Sequence, residues 1–130
     1  MDLLICVATE IEGAVLGQRL RGAGSRVQIV RMGVGAVNAA HAVTVSLLRK
    51  RPGAIVVCGV GGAYPGSGLR VGDVACADAE CYGDLGAAGP SGFLDMQALG
   101  FPVVDSPVAL YNNLPMQVFP APRRVKFVTV

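Results

Sequence analysis

The sequence predicts an α/β fold with layered elements and a mostly parallel central sheet, and three observations support this prediction. Almost continuous apolar runs at Leu3–Ala8, Val27–Met32 and Ala54–Cys58 are typical of strands buried on both faces. Between these runs the apolar residues follow a helical spacing. Glycine-rich or Pro-Gly turns separate the successive elements. Strands that alternate with helices in this way indicate parallel pairing through helical crossovers.

The predicted elements follow one another without long gaps in the first half of the chain. The first strand is Leu3–Ala8, and a helix from Glu10 ends at the Gly22-Ala23-Gly24 turn. Its acidic start and basic end suit the helix dipole. After the second strand, a longer helix is predicted over Val37–Lys50, and Pro52-Gly53 ends it.

The second half of the chain is less regular. The third strand, Ala54–Cys58, is followed by a predicted fourth strand at Val74–Ala77, and no long periodic run follows Tyr82. Residues Arg123–Val130 again resemble a strand, which we expect to be buried. On this pattern residues 1–130 form a single domain that is truncated at its C-terminus. We therefore expect uncovered apolar faces and a tendency to aggregate.

Composition excludes several classes of function. The chain has 52% hydrophobic and only 15% charged residues, so much of it must be buried within the chain or against a partner. A net charge of +2 is too small to indicate a nucleic-acid-binding protein. No run approaches the roughly 20 apolar residues of a membrane span, and the first residues lack the basic start of an export signal.

The four cysteines indicate a reducing environment. They form no Cys-x-x-Cys pair, and each lies in or beside a predicted strand. We interpret them as small hydrophobic core residues rather than as metal ligands or disulfides. This interpretation predicts a cytoplasmic protein.

The candidate site lies where the parallel strands end. Right-handed crossovers would bring three loops, at residues 9–12, 33–38 and 59–66, to the carboxyl edge of the sheet. Ligands of open α/β sheets bind at that edge. Glu10 and Glu12 lie in the first loop, although either could simply be a favourable charge on the first turn of a helix.

The two glycine-rich turns do not match common nucleotide-binding motifs. The turn at residues 33–38 begins as a dinucleotide fingerprint does, but Asn38 takes the place of the third glycine. The turn at residues 59–69 lacks the lysine of a P-loop. Both could be plain tight turns. Alternatively, Gly59, Gly61 and Gly62 could let backbone amides approach a ligand directly after a strand.

Three stretches together carry a resemblance to a known superfamily. They are Ala8-Thr9-Glu10-Ile11-Glu12, Met32-Gly33-Val34-Gly35, and Cys58 to Ala63 followed by Leu69-Arg70-Val71-Gly72-Asp73-Val74. In this order they resemble the nucleoside phosphorylases and nucleosidases that cleave N-glycosidic bonds of purine nucleosides. The continuation Asp78–Gly86, with Gly92-Phe93 ahead of Ala98–Pro102, is similar to the futalosine hydrolase branch. The resemblance implies a three-layer fold of the nucleoside phosphorylase type.

The resemblance also implies roles for particular residues. Glu12 matches the glutamate that activates water in the nucleosidases, and Glu10 is the alternative if the alignment is shifted. Substrate contacts fall on Val34, Val60, Gly61 and Gly62. The resemblance further implies that the ligand is a small nucleoside, that the assembly is a homodimer, and that neither a metal nor an organic cofactor takes part.

Two features bear on the reaction itself. Phosphorylases hold phosphate with an arginine just ahead of the glycine turn, and the matching position here is Val57. We therefore expect hydrolysis. The resemblance implies futalosine as the substrate, with release of hypoxanthine in menaquinone biosynthesis, and methylthioadenosine or adenosylhomocysteine as the alternative substrates. The family's general-acid aspartate and ribose-binding glutamate have no match in this chain. A nucleoside-binding fragment that is inactive alone is the alternative, unless Asp84, Asp95 or Asp105 supplies the acid.

Overall fold

The computed structural model describes residues 2–117, 120 and 123–130. The chain forms a mixed α/β structure with a parallel sheet, as the sequence predicts. It divides into two compact units, Met1–Tyr64 and Pro65–Val130, and each has its own sheet. The single-domain organisation stays a prediction.

The first unit is built on a three-stranded parallel sheet. Its central strand, β1 (Leu3–Val7), lies between β2 (Val27–Arg31) and β3 (Ala54–Cys58). Residues 4–7 of β1 are buried, which confirms the prediction of a strand covered on both faces. In β3 the burial alternates instead, and Ile55 and Val57 are exposed. Successive side chains of a strand point to opposite faces of the sheet, so one face of β3 is partly covered and the other, which carries Ile55 and Val57, is exposed.

Two helices connect these strands. The first, α1, spans Glu10–Arg19, and a 3₁₀ turn over Arg21–Arg26 follows it. The helix is shorter than predicted because the chain leaves the α-helical conformation at Leu20, whose φ and ψ are −98° and 8°, and continues as the 3₁₀ turn. The second, α2, spans Ala36–Arg49, close to its predicted bounds, and begins after Gly35, whose φ is 94°.

The second unit contains a mixed sheet, a hairpin and a short helix. β4 (Cys76–Tyr82) pairs antiparallel with β7 (Asn113–Pro115) and parallel with β8 (Arg124–Thr129). The hairpin consists of β5 (Gly86–Gly89) and β6 (Gly92–Asp95), and α3 (Met96–Leu99) follows it.

A buried asparagine connects these elements. The Asn112 side chain donates to the backbone carbonyls of Tyr82 and Leu85 at 2.9 and 2.8 Å, and it accepts from the Met96 N–H at 2.8 Å. Its amide therefore joins the end of β4, the segment before β5 and the start of α3. Because water does not reach the buried Asn112 amide, its polar atoms need these protein partners.

Two predictions for the second half are wrong. The fourth strand was expected at Val74–Ala77, but β4 runs over Cys76–Tyr82 because its ladder with β8 begins only at Cys76. The strand predicted at Arg123–Val130 is present as β8, but the expectation that it is buried is wrong. It lies at the edge of its sheet, so Phe127 and Val128 are 41% and 40% exposed. Of the less regular stretch after Tyr82, residues 118, 119, 121 and 122 lie outside the described residues.

Candidate functional site

The carboxyl ends of β1, β2 and β3 lie level at one edge of the parallel sheet. The register pairs Val7 with both Arg31 and Cys58, the last residues of the two neighbouring strands. The loop after β2 stays beside β1, since the Gly33 N–H donates to the Ala8 carbonyl at 3.1 Å. The loops at residues 9–12 and 33–38 and the start of the glycine turn after β3 therefore meet at this edge, as the sequence predicts.

Glu12 links two of these loops through its carboxylate. Its Oε2 accepts hydrogen bonds from the Thr9 backbone N–H at 2.8 Å and from the Thr9 hydroxyl at 2.9 Å. Its Oε1 accepts from the Val60 backbone N–H at 3.0 Å. One carboxylate thus joins the end of β1 to the glycine turn that follows β3, 48 residues further along the chain.

The local sequence explains why Glu12 points this way. Thr9 is the N-cap of α1, and its hydroxyl accepts from the Glu12 N–H at 3.4 Å. Together with the Oε2 contacts this forms a capping box, in which the N-cap and the residue three positions later satisfy each other's backbone donors. The carboxylate is therefore held at the start of the helix by its own turn.

Gly59 gives the Glu12 carboxylate room to approach the turn. A Cβ atom at position 59 would stand 2.8 Å from Oε1 and 3.5 Å from Cδ of Glu12. The first distance is shorter than a van der Waals contact allows. Any side chain at Gly59 would thus displace the carboxylate from the Val60 N–H.

The surroundings of Glu12 favour its ionised form. The Val60 N–H, and after it the Thr9 hydroxyl and the Thr9 N–H, lower the pKa of Glu12 below its ordinary value because each donates to the charged carboxylate. The position at the N-terminus of a helix acts in the same direction. At neutral pH the site presents a negatively charged hydrogen-bond acceptor.

Glu10 lies in a different environment. Its carboxylate stands 3.5 Å from the Arg31 guanidinium at the end of β2, and both side chains are well exposed. An ion pair of this kind contributes little stability. The structure therefore brings Glu12 to the glycine turn and pairs Glu10 with a neighbouring strand.

The four predicted substrate-contact residues are accessible. Val34 and Val60 are 72% and 89% exposed, and a Cβ at Gly61 or Gly62 would meet no atom within 4 Å. Of these four, Val60 has a hydrogen bond to Glu12. The Val34 carbonyl instead accepts from the Asn38 side chain at 2.7 Å, which shapes the turn before α2.

Other candidate residues lie as follows. Val57, the position of the phosphorylase arginine, is 65% exposed and apolar. Asp84 and Asp105 are exposed in the second unit, and Asp95 caps α3 by accepting from the Ala98 N–H at 2.8 Å. Within residues 2–117, 120 and 123–130, no group of three His, Cys, Asp or Glu side chains could hold a metal ion.

An open groove lies on the other side of the α1 N-terminus. Its volume is about 520 Å³, and Val7, Gly13 and Ile29 line it together with the Glu10–Arg31 pair. Thr9 also borders it, whereas Glu12 and Val60 do not. This groove was not predicted, since it arises from the way small residues of α1 pack over β1 and β2.

The contacts that Thr9 and Gly59 make with Glu12 were not predicted from sequence. Thr9 had a readable signal, because Thr followed by Glu three residues later at a helix start is the capping-box pattern. Gly59 had none that distinguishes it from any other turn glycine. A glycine is required at position 59 because the Glu12 carboxylate, 47 positions earlier in the chain, lies against it. Such a long-range contact leaves no local sequence pattern.

Comparison with known proteins supports the family. A family model described as the phosphorylase superfamily matches residues 13–127, which is most of the chain. Neither the curated proteins nor the solved structures include a significant match. In the part of the chain that the structure describes, no helix is long and apolar enough to cross a membrane. The chain belongs to the phosphorylase superfamily.

Proposed function

We propose that this chain supplies the water-activating carboxylate of a nucleosidase, an enzyme that hydrolyses the N-glycosidic bond of a purine nucleoside. Membership of the superfamily indicates processing of nucleoside glycosidic bonds. The single observation that carries the proposal is Glu12, which is ionised and held at the carboxyl edge of the parallel sheet. The family match begins at residue 13, so the role of Glu12 rests on this geometry and on the motif around it.

Hydrolysis fits this edge better than phosphorolysis. A phosphate dianion would meet the negative charge of Glu12, Val57 offers no cation to offset the repulsion, and the Arg31 guanidinium at the end of β2 is already paired with Glu10. A water molecule can instead donate a hydrogen bond to the carboxylate. Its oxygen then bonds to the anomeric carbon, its proton passes to Glu12, and the electron pair of the C–N bond leaves with the base. The departing base takes up a proton from a general acid or from solvent.

The proposed substrate is futalosine, which would release hypoxanthine in menaquinone biosynthesis. Support comes from the sequence Asp78–Gly86 and from Gly92-Phe93, which are similar to the futalosine hydrolase branch. Methylthioadenosine and adenosylhomocysteine are the alternative substrates of the same reaction. We place the protein in the cytoplasm, on the basis of its cysteine pattern. We further propose a homodimer, because many large apolar side chains are exposed.

A second candidate function is nucleoside binding without turnover. None of the 130 residues matches the general-acid aspartate or the ribose-binding glutamate that the resemblance calls for. General acid catalysis is worth roughly 10²- to 10⁴-fold, so the chain by itself is expected to bind nucleoside and release no base. Release of hypoxanthine by the 130-residue chain alone would contradict this candidate, and it would direct attention to Asp84, Asp95 or Asp105 as the acid.

The role of Glu12 can be tested by replacing it with glutamine. In the longest natural polypeptide that contains residues 1–130, Glu12→Gln should lower kcat for base release by about 100-fold or more, because the amide cannot accept the proton of water. Glu10→Gln is the matched control and should retain the wild-type rate. Both variants are assayed by the absorbance of the released base.

The pattern of the two rates decides the assignment. If Glu12→Gln hydrolyses futalosine at the wild-type rate while Glu10→Gln is impaired, the alignment is shifted and Glu10 is the catalytic residue. If both variants are unimpaired, neither carboxylate activates water.

A further inference from the structure

The Glu12 carboxylate has few hydrogen-bonding positions left. An ionised carboxylate offers about four lone-pair positions, two on each oxygen. The Thr9 N–H and the Thr9 hydroxyl occupy both positions of Oε2, at 2.8 and 2.9 Å. The Val60 N–H occupies one position of Oε1, at 3.0 Å. These three bonds leave one acceptor position, and it is on Oε1; the Ala8 backbone N–H also lowers the pKa of Glu12, as the weakest of its donors.

The three donors come from two different parts of the chain and fix the carboxylate from opposite ends. Thr9 holds Oε2 from within the first turn of α1, and Val60 holds Oε1 from the turn after β3. The Thr9 hydroxyl is itself oriented, because its oxygen accepts from the Glu12 N–H at 3.4 Å and its proton must then point to Oε2. The plane of the carboxylate is therefore set before any substrate binds.

Gly59 determines what can reach the remaining position. Because it carries no side chain, Oε1 stays close to the backbone of the turn, and a Cβ there would stand only 2.8 Å away. The neighbouring Val60, Gly61 and Gly62 are exposed, so this side of the carboxylate is open to a small molecule. Oε2, in contrast, is saturated by Thr9.

We propose that Thr9 is a positioning residue that saturates Oε2 of Glu12 and so makes Oε1 the one atom that binds and deprotonates the attacking water. This inference deepens the proposed function and rests on it. It assigns to the Thr9 hydroxyl an effect on catalysis beyond capping α1. The other titratable groups at these strand ends are Glu10, which pairs with Arg31, and the Cys58 thiol.

The hydrogen-bond arrangement can be tested without any enzymatic activity. In the ¹⁵N-labelled chain, the chemical shifts of the Thr9 and Val60 amide protons should change together as the pH falls, because both amides donate to the same carboxylate. Both changes should share one midpoint, below the ordinary pKa of a glutamate. Glu12→Gln should abolish both shifts. An amide proton of Val60 that does not respond to pH in the wild-type chain would overturn the proposal.

The role of the hydroxyl is tested with Thr9→Val, which keeps the shape and the backbone N–H, and with Thr9→Ser, which keeps the hydroxyl. Thr9→Val should raise the pKa of Glu12 toward its ordinary value, since one donor to the charged form is lost. It should lower kcat about 10- to 100-fold through misplacement of the water, with little change in KM. The acid limb of the pH–rate profile should move to higher pH. Thr9→Ser should keep the wild-type values of the Glu12 pKa, of kcat and of the acid limb.

The outcomes separate this inference from the proposed function. If the amide shifts behave as expected but Thr9→Val retains the wild-type kcat, Thr9 is only a helix cap and the inference is wrong. If the wild-type polypeptide hydrolyses no nucleoside, the proposed function fails while the amide titration still reports on the carboxylate. Should Thr9→Val not fold, Gly59→Ala acts on Oε1 from the β3 side. Gly59→Ala should abolish the pH-dependent shift of the Val60 amide proton and leave that of the Thr9 amide proton. If both shifts persist in this variant, the proposal is overturned.

Discussion

At the scale of single residues, the site depends on one carboxylate and the three donors around it. Part of this was predictable. The Thr9–Glu12 spacing is a capping box, and Glu12 was placed at the sheet edge from the motif that contains it. The contact with Val60 was not predictable, because it depends on the register of β1 against β3 and on the absence of a side chain at Gly59. Local pattern reports local hydrogen bonds, and it carries no information on partners 48 residues away.

The lowered pKa of Glu12 predicts a pH-dependent contribution to stability. A carboxyl whose pKa is lower in the folded than in the unfolded state stabilises the fold above the unfolded value, here 4.5, and the contribution is lost as the pH falls through the folded value. The urea midpoint of the wild type should therefore exceed that of Glu12→Gln at pH 7. The difference should shrink steadily below about pH 4.5.

Glu10→Gln provides the control for this measurement. Glu10 is exposed and has one partner at 3.5 Å, so its replacement should leave the midpoint nearly unchanged at both pH values. A difference between wild type and Glu12→Gln that stays constant from pH 7 to pH 3 would show that the carboxylate is not held in its charged form.

At the scale of elements, the first half of the chain was more predictable than the second, in which the last strand, β8, was located but β4 was misplaced and the hairpin was missed. Leu3–Val7 and α2 follow from continuous apolar runs and helical spacing, since each pattern is contained within its own element. β4 consists largely of alanine and acidic residues, and its extent is set by pairing with β8. The hairpin of β5 and β6 likewise depends on strand pairing, because Gly86-Ala87-Ala88-Gly89 has little strand propensity of its own.

The central position of β1 predicts an uneven response to truncation. Leu4 is fully buried, so Leu4→Ala should lower the free energy of unfolding by about 2–5 kcal/mol through lost burial and a residual cavity. Val57 lies on the neighbouring strand β3 but is 65% exposed, and Val57→Ala should cost less than about 1 kcal/mol. Equal losses for the two variants in urea titrations would contradict the placement of the core along β1.

At the scale of the whole molecule, composition predicted more burial than the structure shows. With 52% hydrophobic residues a large core was expected. Among the described residues, however, the buried apolar side chains are residues 4–7 of β1, and Val60 and Val71 are almost or fully exposed. Composition fixes how much apolar surface exists. Whether that surface is covered depends on how many layers pack on each sheet, and a percentage does not report this.

The family match and the site geometry together make hydrolysis of a nucleoside the central claim. It is tested most directly by incubating the longest natural polypeptide that contains residues 1–130 with futalosine in ¹⁸O-labelled water, with and without inorganic phosphate. We expect free hypoxanthine, one ¹⁸O atom at the anomeric carbon of the sugar product, and a rate that phosphate does not raise. A sugar 1-phosphate that forms only when phosphate is present would contradict the claim, because it would show that phosphate, and not a water bound to Glu12, attacks the glycosidic bond.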